Sequence, residues 1–235
     1  MNKNDISSSS LAAPWISSST QEWEPVLTLA NKKEYRKCDI IIDIGDEVNN
    51  LYYLKKGQIK MTALSKSGIE QTIWHIDAPN VFGEVPFFHR QPCKFLIVAA
   101  TNCEVYSFNR EFVINELANY PQFVSYILRI LAQKVRILSS RIEDLIFANP
   151  SARIAKLLLL LAYQKGDIKG NSCSVELPLT HQDLANLTGL HRVTVTNSIN
   201  KLFDNGILVK NKDKILINDL SALRLLTEQG DFLVY

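Results

Sequence analysis

The amino-acid sequence predicts an α+β protein: a barrel or sandwich of short antiparallel strands, one long helix, and a final pair of short helices followed by a hairpin. Three observations support this prediction. Short apolar runs separated by turn residues fill residues 35–108, an apolar repeat with spacings of four and three runs through Asn119–Phe147, and Leu179–Leu208 holds two helical patterns joined at a glycine. These patterns are typical of strands, a coiled-coil helix and a helical pair, respectively.

Length and composition restrict the class of protein. A chain of 235 residues can hold one large or two modest domains, and a hydrophobic fraction of 46% is ordinary for a globular protein. The net charge of +2 means that any basic surface must be local. The 4 cysteines are dispersed and form no CxxC pair, so we expect neither a zinc site nor a disulfide framework. Met1–Ser10 lacks the apolar core of a signal peptide, and we expect a cytoplasmic protein.

The first half of the chain is predicted to be a flexible segment followed by strands. Residues 1–21 are rich in serine and can bury too little apolar area to offset the entropy lost on ordering. Trp23–Asn31 is predicted to be a short helix. The predicted strands are Asp39–Ile44, Asn50–Leu54, Gln58–Leu64, Gln71–Ile76 and Cys103–Phe108, with reversals at Gly45, Gly57 and Gly68. This spacing favours an antiparallel barrel or sandwich.

Asn119–Phe147 is predicted to be a single long helix. Its apolar positions keep the register of a coiled-coil seam; they are Val124, Leu128, Leu131, Val135, Leu138, Ile142 and Leu145. A stripe this narrow requires a second helix against it. The alternative is a lone amphipathic helix packed on its own barrel.

A hinge and further short elements follow the long helix. Proline disfavours helical geometry in its predecessor, so Asn149–Pro150 should end the helix, and Ser151 can cap the next one, Ala152–Gln164. A strand is predicted at Ser174–Leu177. Ile207–Val209 and Lys214–Ile217 flank a polar turn and predict a hairpin, whose lysines Lys210, Lys212 and Lys214 are suited to phosphate. Asp219 is the expected cap of a last helix, Leu220–Glu228.

Between strand and hairpin, the sequence predicts two helices joined by a tight turn. Thr180 and Asp183 have the spacing of a capping box, and Gly189 can adopt the left-handed conformation that the turn requires. Val195, Ile199 and Leu202 form the buried side of the second helix. The remaining side chains should then face outward; they are His191, Arg192, Thr194, Thr196 and Asn197. Guanidinium, hydroxyl and amide groups at an exposed helix start suit phosphates and base edges, although an ordinary helical hairpin remains the alternative.

This stretch resembles the helix-turn-helix of the superfamily of cyclic-AMP receptor protein and the fumarate–nitrate reductase regulator (Crp–Fnr). The resemblance runs from about Glu34 to the C-terminus, and Ala185 and Gly189 stand four apart as that motif requires. Thr188 and Ser198 depart from it, because these two sites are usually apolar. The resemblance implies a jelly-roll effector domain at residues 22–118, a dimerisation helix at 119–148 and a winged helix-turn-helix at 149–235.

By the same resemblance, the protein is a transcription regulator whose partners are double-stranded DNA, a second copy of itself, RNA polymerase and a small-molecule effector. No membrane and no cofactor are implied. The residues expected to contact DNA are Thr180, His181, His191, Arg192, Val193, Thr194, Thr196, Asn197, Lys201 and Lys212. Val193 and Asn197 stand where the family's usual glutamate and arginine read bases. Valine suits a thymine methyl and asparagine pairs with adenine, so we expect an A·T-rich inverted repeat resembling TTAA.

Val81–Ala100 occupies the place of the family's phosphate-binding cassette. Gly83 and Glu84 match its first half, but Lys94 and Phe95 stand where Arg and Ser or Thr are expected. Lysine lacks the two-pronged geometry of arginine, and phenylalanine donates no hydrogen bond. We therefore expect Gly83, Glu84, Lys94 and Phe95 to line the site of an effector other than cyclic AMP.

Three residues of the long helix complete the expected effector site. Ser139 and Ser140 align with the helix position that reaches the ligand in cyclic-AMP binders. The C-terminal third also resembles the branch of this superfamily that controls reductive dehalogenation. By that resemblance, Lys134 of the long helix stands at the position of a lysine that lies near a phenolate in the effector pocket. This suggests a phenol or an aromatic acid as effector, whereas the alternative interpretation of Lys134 is an exposed helix lysine.

An enzyme and a redox or haem sensor are the two alternatives to a regulator controlled by a small molecule. An enzyme is not expected, because no GxSxG, P-loop or HExxH motif is present. A redox or haem sensor of the same fold is the alternative regulator. An iron–sulfur cluster would need cysteines before Cys38, and His75 or His89 would have to bind haem.

Overall fold

The computed structural model describes residues 15–16, 23–175, 180–211 and 214–228. The chain divides into two compact units, an N-terminal one comprising residues 14–135 and a C-terminal one comprising residues 136–235, so that the division falls inside the long helix. The predicted domain boundaries at residues 118 and 148 stay predictions. No helix among the described residues is long and apolar enough to cross a membrane.

In the described part of the N-terminal unit, nine strands form two sheets. They are β1 (Trp15–Ile16), β2 (Asn31–Tyr35), β3 (Ile40–Ile42), β4 (Asn50–Lys56), β5 (Gln58–Leu64), β6 (Glu70–Asp77), β7 (Asn80–Phe82), β8 (Leu96–Ala99) and β9 (Cys103–Asn109). One sheet has the order β1-β6-β5-β8-β3 and the other β2-β9-β4-β7. Every pair is antiparallel except β1 with β6. The predicted fold class, a jelly-roll domain before a winged helix-turn-helix, is confirmed.

Alternating burial along these strands creates the core of the barrel. Leu51 and Tyr53 of β4 and Ile59 of β5 are fully buried, as expected when every second side chain of a strand points inward. Trp23 is also buried and stacks on Tyr53 with ring centroids 5.4 Å apart. It precedes a 3-10 helix at Glu24–Leu29, where the sequence predicted a helix.

Helices also occur between and after the strands of the barrel, and the long helix among them continues into the C-terminal unit. They are α1 (Glu84–His89), α2 (Arg110–Asn115) and α3 (Pro121–Phe147), with a 3-10 turn at Leu117–Asn119. α3 begins at Pro121, two residues later than predicted, because proline suits the first position of a helix, where its missing N–H has no intrahelical role.

The C-terminal unit contains α4 (Pro150–Lys165), α5 (His181–Thr188), α6 (Arg192–Asp204) and α7 (Leu220–Glu228). A four-stranded sheet of order β10-β11-β13-β12 accompanies them, formed by Asp167–Lys169 (β10), Ser172–Val175 (β11), Leu208–Asn211 (β12) and Lys214–Ile217 (β13). The five leucines Leu157–Leu161 of α4 are buried in the core of this unit. Asp219 accepts from the N–H of Ala222 at 2.8 Å, which confirms the predicted cap of α7.

The predicted cap of α4 is wrong. Asn149, and not Ser151, accepts a hydrogen bond from the main-chain N–H of Ala152 at 2.9 Å. Pro150 fixes the first helical position, so the cap must be the residue before it, and the asparagine amide oxygen reaches the free N–H group from there.

Candidate DNA interface and effector site

A complete capping box starts the helix pair. The main-chain N–H of Asp183 donates to the Thr180 hydroxyl at 3.1 Å, and the Asp183 carboxylate accepts from the main-chain N–H of Thr180 at 2.8 Å. The Thr180 hydroxyl also donates to the same carboxylate at 2.7 Å. The predicted box is confirmed. Its hydroxyl is thus engaged inside the helix start, and the DNA contact of Thr180 stays a prediction.

Gly189 forms the turn between α5 and α6 in the left-handed conformation, with φ of 69°. Its N–H donates to the carbonyl of Ala185 at 2.9 Å, and the N–H of Leu190 reaches the same carbonyl at 3.2 Å. A side chain at position 189 would be strained at this φ. The turn is therefore short, and two main-chain hydrogen bonds fix the direction in which the chain leaves α5.

α6 buries one side and exposes the residues at its start. Val195, Ile199 and Leu202 are buried as predicted. His191, Arg192 and Asn197 are exposed, and Val193 is 70% exposed although it is apolar. Lys201, in the last turn, is exposed as well. An apolar side chain with this much exposed surface is available to a partner, here beside groups suited to base edges.

Two of the side chains predicted to contact DNA, Thr196 and His181, form hydrogen bonds within the protein. Thr196 is half-buried; its hydroxyl donates to the Arg192 carbonyl and contacts the Nδ1 of His181, each at 3.0 Å. Thr194 is also half-buried. The structure thus places His181 and Thr196 in one hydrogen-bonded pair linking α5 to α6. Lys212 lies outside the described residues, and its phosphate contact stays a prediction, as do the other predicted DNA contacts.

The cassette begins with a glycine that no other residue can easily replace. Gly83 has a φ of 78° and precedes α1, and a Cβ built there would meet the Tyr52 ring at 2.9 Å. Glu84 follows as the first residue of α1 and is buried. The backbone of the predicted cassette is therefore present, with the glutamate directed into the protein.

A buried ion pair joins this glutamate to the long helix. The Lys134 ammonium lies 2.6 Å from Glu84 Oε1, and the side chains are 6% and 1% exposed. The alternative interpretation of Lys134 as an exposed helix lysine is therefore wrong. Glu84 Oε2 is buried and has no hydrogen-bond partner among the residues that the structure describes. The structure thus brings together two of the predicted effector residues, and they neutralise each other.

The other predicted effector residues are distributed differently. Lys94 is exposed and Phe95 half-buried, in the loop before β8. Ser139 is exposed on α3, and the Ser140 hydroxyl contacts the ammonium of Lys156 at 3.1 Å. Lys156 also pairs with Asp144 at 2.6 Å. Both serines belong to the C-terminal unit, and their place in one site with Gly83 stays a prediction.

Sequence reasoning missed an apolar groove in the N-terminal unit. It has a volume of about 310 Å³ and is lined by apolar side chains that include Trp23, Phe88 and Phe123. Val124, Leu128 and Leu131 of the predicted seam form part of its wall. The only signal in the sequence was the seam itself, because the rest of the wall comes from separate elements.

A metal site needs several ligand side chains close together. Among the described residues, no group of three His, Cys, Asp or Glu side chains could hold a metal ion. Cys38 is exposed, whereas burial raises the pKa of the Cys93, Cys103 and Cys173 thiols above its ordinary value.

A β-barrel domain followed by a winged helix-turn-helix is the architecture of regulators that couple ligand binding to DNA binding. The model of the cyclic nucleotide-binding domain matches residues 32–120, and the model of the Crp-like helix-turn-helix domain matches residues 152–226. These two matches cover more than half of the chain in the expected order. The chain belongs to the Crp–Fnr superfamily of bacterial transcription regulators.

Individual relatives agree with this family. The CRP-like cAMP-activated global transcriptional regulator of Mycobacterium tuberculosis is 26% identical over 208 residues, which are 88% of this chain and 90% of that protein. The global nitrogen regulator of Synechococcus elongatus is 26% identical over 193 residues, 81% of this chain and 87% of its own. The structure of a CprK variant complexed with OCPA has a TM-score of 0.77 at 20% identity, covering 92% of this chain and 97% of CprK, and shows the same fold.

Proposed function

We propose that this protein is an effector-controlled regulator that binds DNA as a homodimer, on an A·T-rich inverted repeat. The observation that carries the proposal is the start of α6, where Arg192, Val193 and Asn197 are exposed on a helix whose other side is fixed in the core. A helix presented in this way can enter a major groove with its first residues against base edges.

The exposed apolar stripe of α3 supports the dimer. Six of the seven predicted seam positions are exposed in the single chain, among them Leu128 at 61%, Val135 at 63% and Ile142 at 57%. A row of large apolar side chains of this length marks a surface that another molecule covers. A second copy of α3 carries the same repeat and can interlock with it as a coiled coil. The seam residues in the wall of the apolar groove extend this surface towards the barrel.

The side chains at positions 193 and 197 support an A·T-rich site. Valine can contact only the thymine methyl group in the major groove, and asparagine forms two hydrogen bonds with adenine. A dimer with two-fold symmetry presents two such helices. It should therefore bind half-sites about 34 Å apart, one turn of DNA, with a sequence resembling TTAA.

The ion pair between Glu84 and Lys134 supports an effector other than cyclic AMP. The carboxylate that would meet a ribose is buried against an ammonium group at 2.6 Å, and it could turn to a ribose only by leaving that charge unpaired. Lys94 and Phe95 supply no arginine-like pair of donors for a cyclic phosphate. A phenol or an aromatic acid remains our candidate, and its anion would have to compete with Glu84 for Lys134.

Equilibrium binding tests the DNA-binding proposal. The protein should bind a TTAA-like inverted repeat at least about a thousandfold more tightly than scrambled DNA, the range of specific regulators. The measurement requires one fixed salt concentration, because phosphate contacts make the affinity salt-dependent. Equal affinity for both DNAs would contradict the proposal. A thermal-shift screen over phenols, aromatic acids, 2-oxo acids and cyclic nucleotides would identify the effector class, because selective binding raises the melting temperature.

A further inference from the structure

Arg141 of α3 reaches the end of the first helix of the helix-turn-helix. Its Nη2 donates to the main-chain oxygen of Leu187 at 3.3 Å. Leu187 is the penultimate residue of α5, which ends at Thr188. The last four carbonyls of a helix have no partner within that helix, so this contact satisfies a group that α5 leaves free.

The charge of Arg141 suits the position. The C-terminal end of a helix carries a partial negative charge, and α5 has no basic residue in its own last turn. Arg141 supplies the missing cation from another helix. Burial lowers the pKa of Arg141 to about 10, with Asp144 opposing the shift, so the guanidinium stays charged at neutral pH. A partly desolvated charge is screened less by water than an exposed one and holds the helix end more firmly.

Only a few residues separate this contact from α6, which we call the recognition helix because its start carries the residues proposed to read bases. His191, the N-cap of α6, lies four residues after Leu187. The turn between them is fixed by the two hydrogen bonds to the Ala185 carbonyl described above. The position of the α5 end therefore determines where α6 begins.

The C-terminal half of α3, which contains Arg141, is also bonded to α4. The Arg153 guanidinium donates to the carbonyl of Leu145 at 3.2 Å, in the last turn of α3, and to that of Ala148 at 3.0 Å, the residue that follows α3. Lys156 adds its ion pair with Asp144. Three residues of the predicted seam, Leu138, Ile142 and Leu145, lie in this half, so the helix that meets the partner is the one that holds α4 and α5.

We propose that Arg141 is a positioning residue for DNA recognition, which fixes the recognition helix to the dimerisation helix and so sets the distance between the two recognition helices of the dimer. This inference rests on the proposed homodimeric function. Arg141 itself is not required to touch DNA. Replacing Arg141 should therefore change how strongly the protein prefers one spacing of the half-sites. A general loss of stability would lower the affinity equally at every spacing.

The test is a set of inverted repeats with identical half-sites at increasing separation, plus a single half-site. Wild type should prefer the one-turn spacing by tenfold or more. In Arg141→Gln, this preference should fall about tenfold, the effect of losing one charged hydrogen bond, while affinity for the single half-site is kept. Arg141→Lys retains the charge without the planar fork, so it should keep part of the preference. Arg129→Gln removes the same charge elsewhere on α3 and should behave as wild type.

Each outcome decides the inference. A loss of affinity in Arg141→Gln that is equal at all spacings would overturn it, because that result describes a residue acting on stability alone. An unchanged spacing preference would also overturn it. If Arg141→Gln does not fold, Arg141→Lys decides alone, and a wild-type preference in that variant overturns the inference. A wild type that prefers no spacing would overturn the proposed homodimeric function as well, which distinguishes the two failures.

Discussion

The DNA-reading helix pair and the cassette differ in how their functional side chains are held. In the helix pair, the candidate reading residues Arg192, Val193 and Asn197 are exposed within six residues of one another on a single helix. In the cassette, Glu84 is buried against Lys134, which lies 50 residues further along the chain. The candidate reading side chains of the helix pair are exposed and available to a partner. The charges of Glu84 and Lys134 are buried and already paired with each other.

We infer from this difference that the proposed DNA interface depends on local sequence, whereas the proposed effector site depends on long-range pairs. Helix caps, a left-handed glycine and a buried face are enough to present α6 to a groove. The proposed effector site instead contains two charges from distant positions, Glu84 and Lys134, and under our proposal an effector must alter that pair or bind beside it. Substitutions that act on one region and leave the other intact test this contrast.

The largest effect should come from disrupting the proposed dimer seam on α3, the helix that contacts Glu84 through Lys134 and the end of α5 through Arg141. Replacing Leu131 and Leu138 with glutamate places charges in the proposed seam, and the protein should become monomeric in sedimentation. Specific DNA affinity should fall by about a thousandfold, since a monomer reaches one half-site only. Ser125→Glu, which adds a charge outside the seam on the same helix, is the control and should stay dimeric. A wild type that is monomeric at micromolar concentration would contradict the prediction.

The next effect concerns the ion pair of the cassette. Lys134→Met should destabilise the N-terminal unit by about 3–5 kcal/mol, because it leaves the Glu84 carboxylate buried and unpaired. All 3 tryptophans lie in that unit, so denaturant unfolding followed by tryptophan fluorescence measures it directly.

Two further variants sharpen this measurement. The double variant Glu84→Leu with Lys134→Met removes both charges and should recover most of the loss. Lys32 is half-exposed and pairs with Glu34 at 3.0 Å and with Glu104 at 3.5 Å. Because Lys56 still pairs with Glu104 when Lys32 is removed, Lys32→Met should leave the unfolding midpoint nearly unchanged. If Lys134→Met and Lys32→Met behaved alike, the cassette would be open to solvent and the contrast between the two regions would fail.

A smaller effect is expected at the base-reading residue. Asn197→Ala should cost about 1–3 kcal/mol of binding on the TTAA-like repeat and relax the preference at one position of each half-site. The measurement is competition binding with single-base variants of the repeat. Asn205→Ala, at the opposite end of α6, is the matched control and should bind as wild type. A uniform loss on all sequences would indicate a phosphate contact instead of base reading.

Much of the fold could be predicted, because its elements carry their own boundaries. β5 at Gln58–Leu64 and α7 at Leu220–Glu228 have the predicted limits, set by Gly57 and by the Asp219 cap. β2 was not predicted, because four of its five residues are exposed and the strand shows no alternation. Edge strands of this kind depend on the neighbour to which they pair, here β9.

The candidate sites were predictable only where they are local. The capping box, the glycine turn and the buried side of α6 follow from spacings of three and four residues. The pairs Glu84–Lys134 and Arg141–Leu187 join positions 50 and 46 residues apart. No spacing rule predicts such contacts, because tertiary packing determines which distant groups meet. The sequence therefore left an exposed helix lysine as the alternative interpretation of Lys134, and the burial of this side chain excludes it.

The smallest effect concerns the thiols and bears on the redox alternative. Burial raises the pKa of Cys93, Cys103 and Cys173, which lowers their thiolate fraction, and Cys38 alone is exposed. One thiol per chain should therefore react rapidly with a disulfide reagent at pH 8, and four should react after unfolding. Cys38→Ser should abolish the rapid phase. Rapid reaction of a second thiol would favour a redox-active sensory region.

Selection of bound sequences from random DNA tests the central claim most directly, because it assumes no site in advance. The exposed start of α6 and the dimer seam predict an inverted repeat with A·T-rich, TTAA-like half-sites centred about 34 Å apart. Val193 and Asn197 should each correspond to an A·T position. Recovery of G·C-rich half-sites would show that these residues do not read the bases, and recovery of sequences without a repeat would contradict the homodimeric regulator itself.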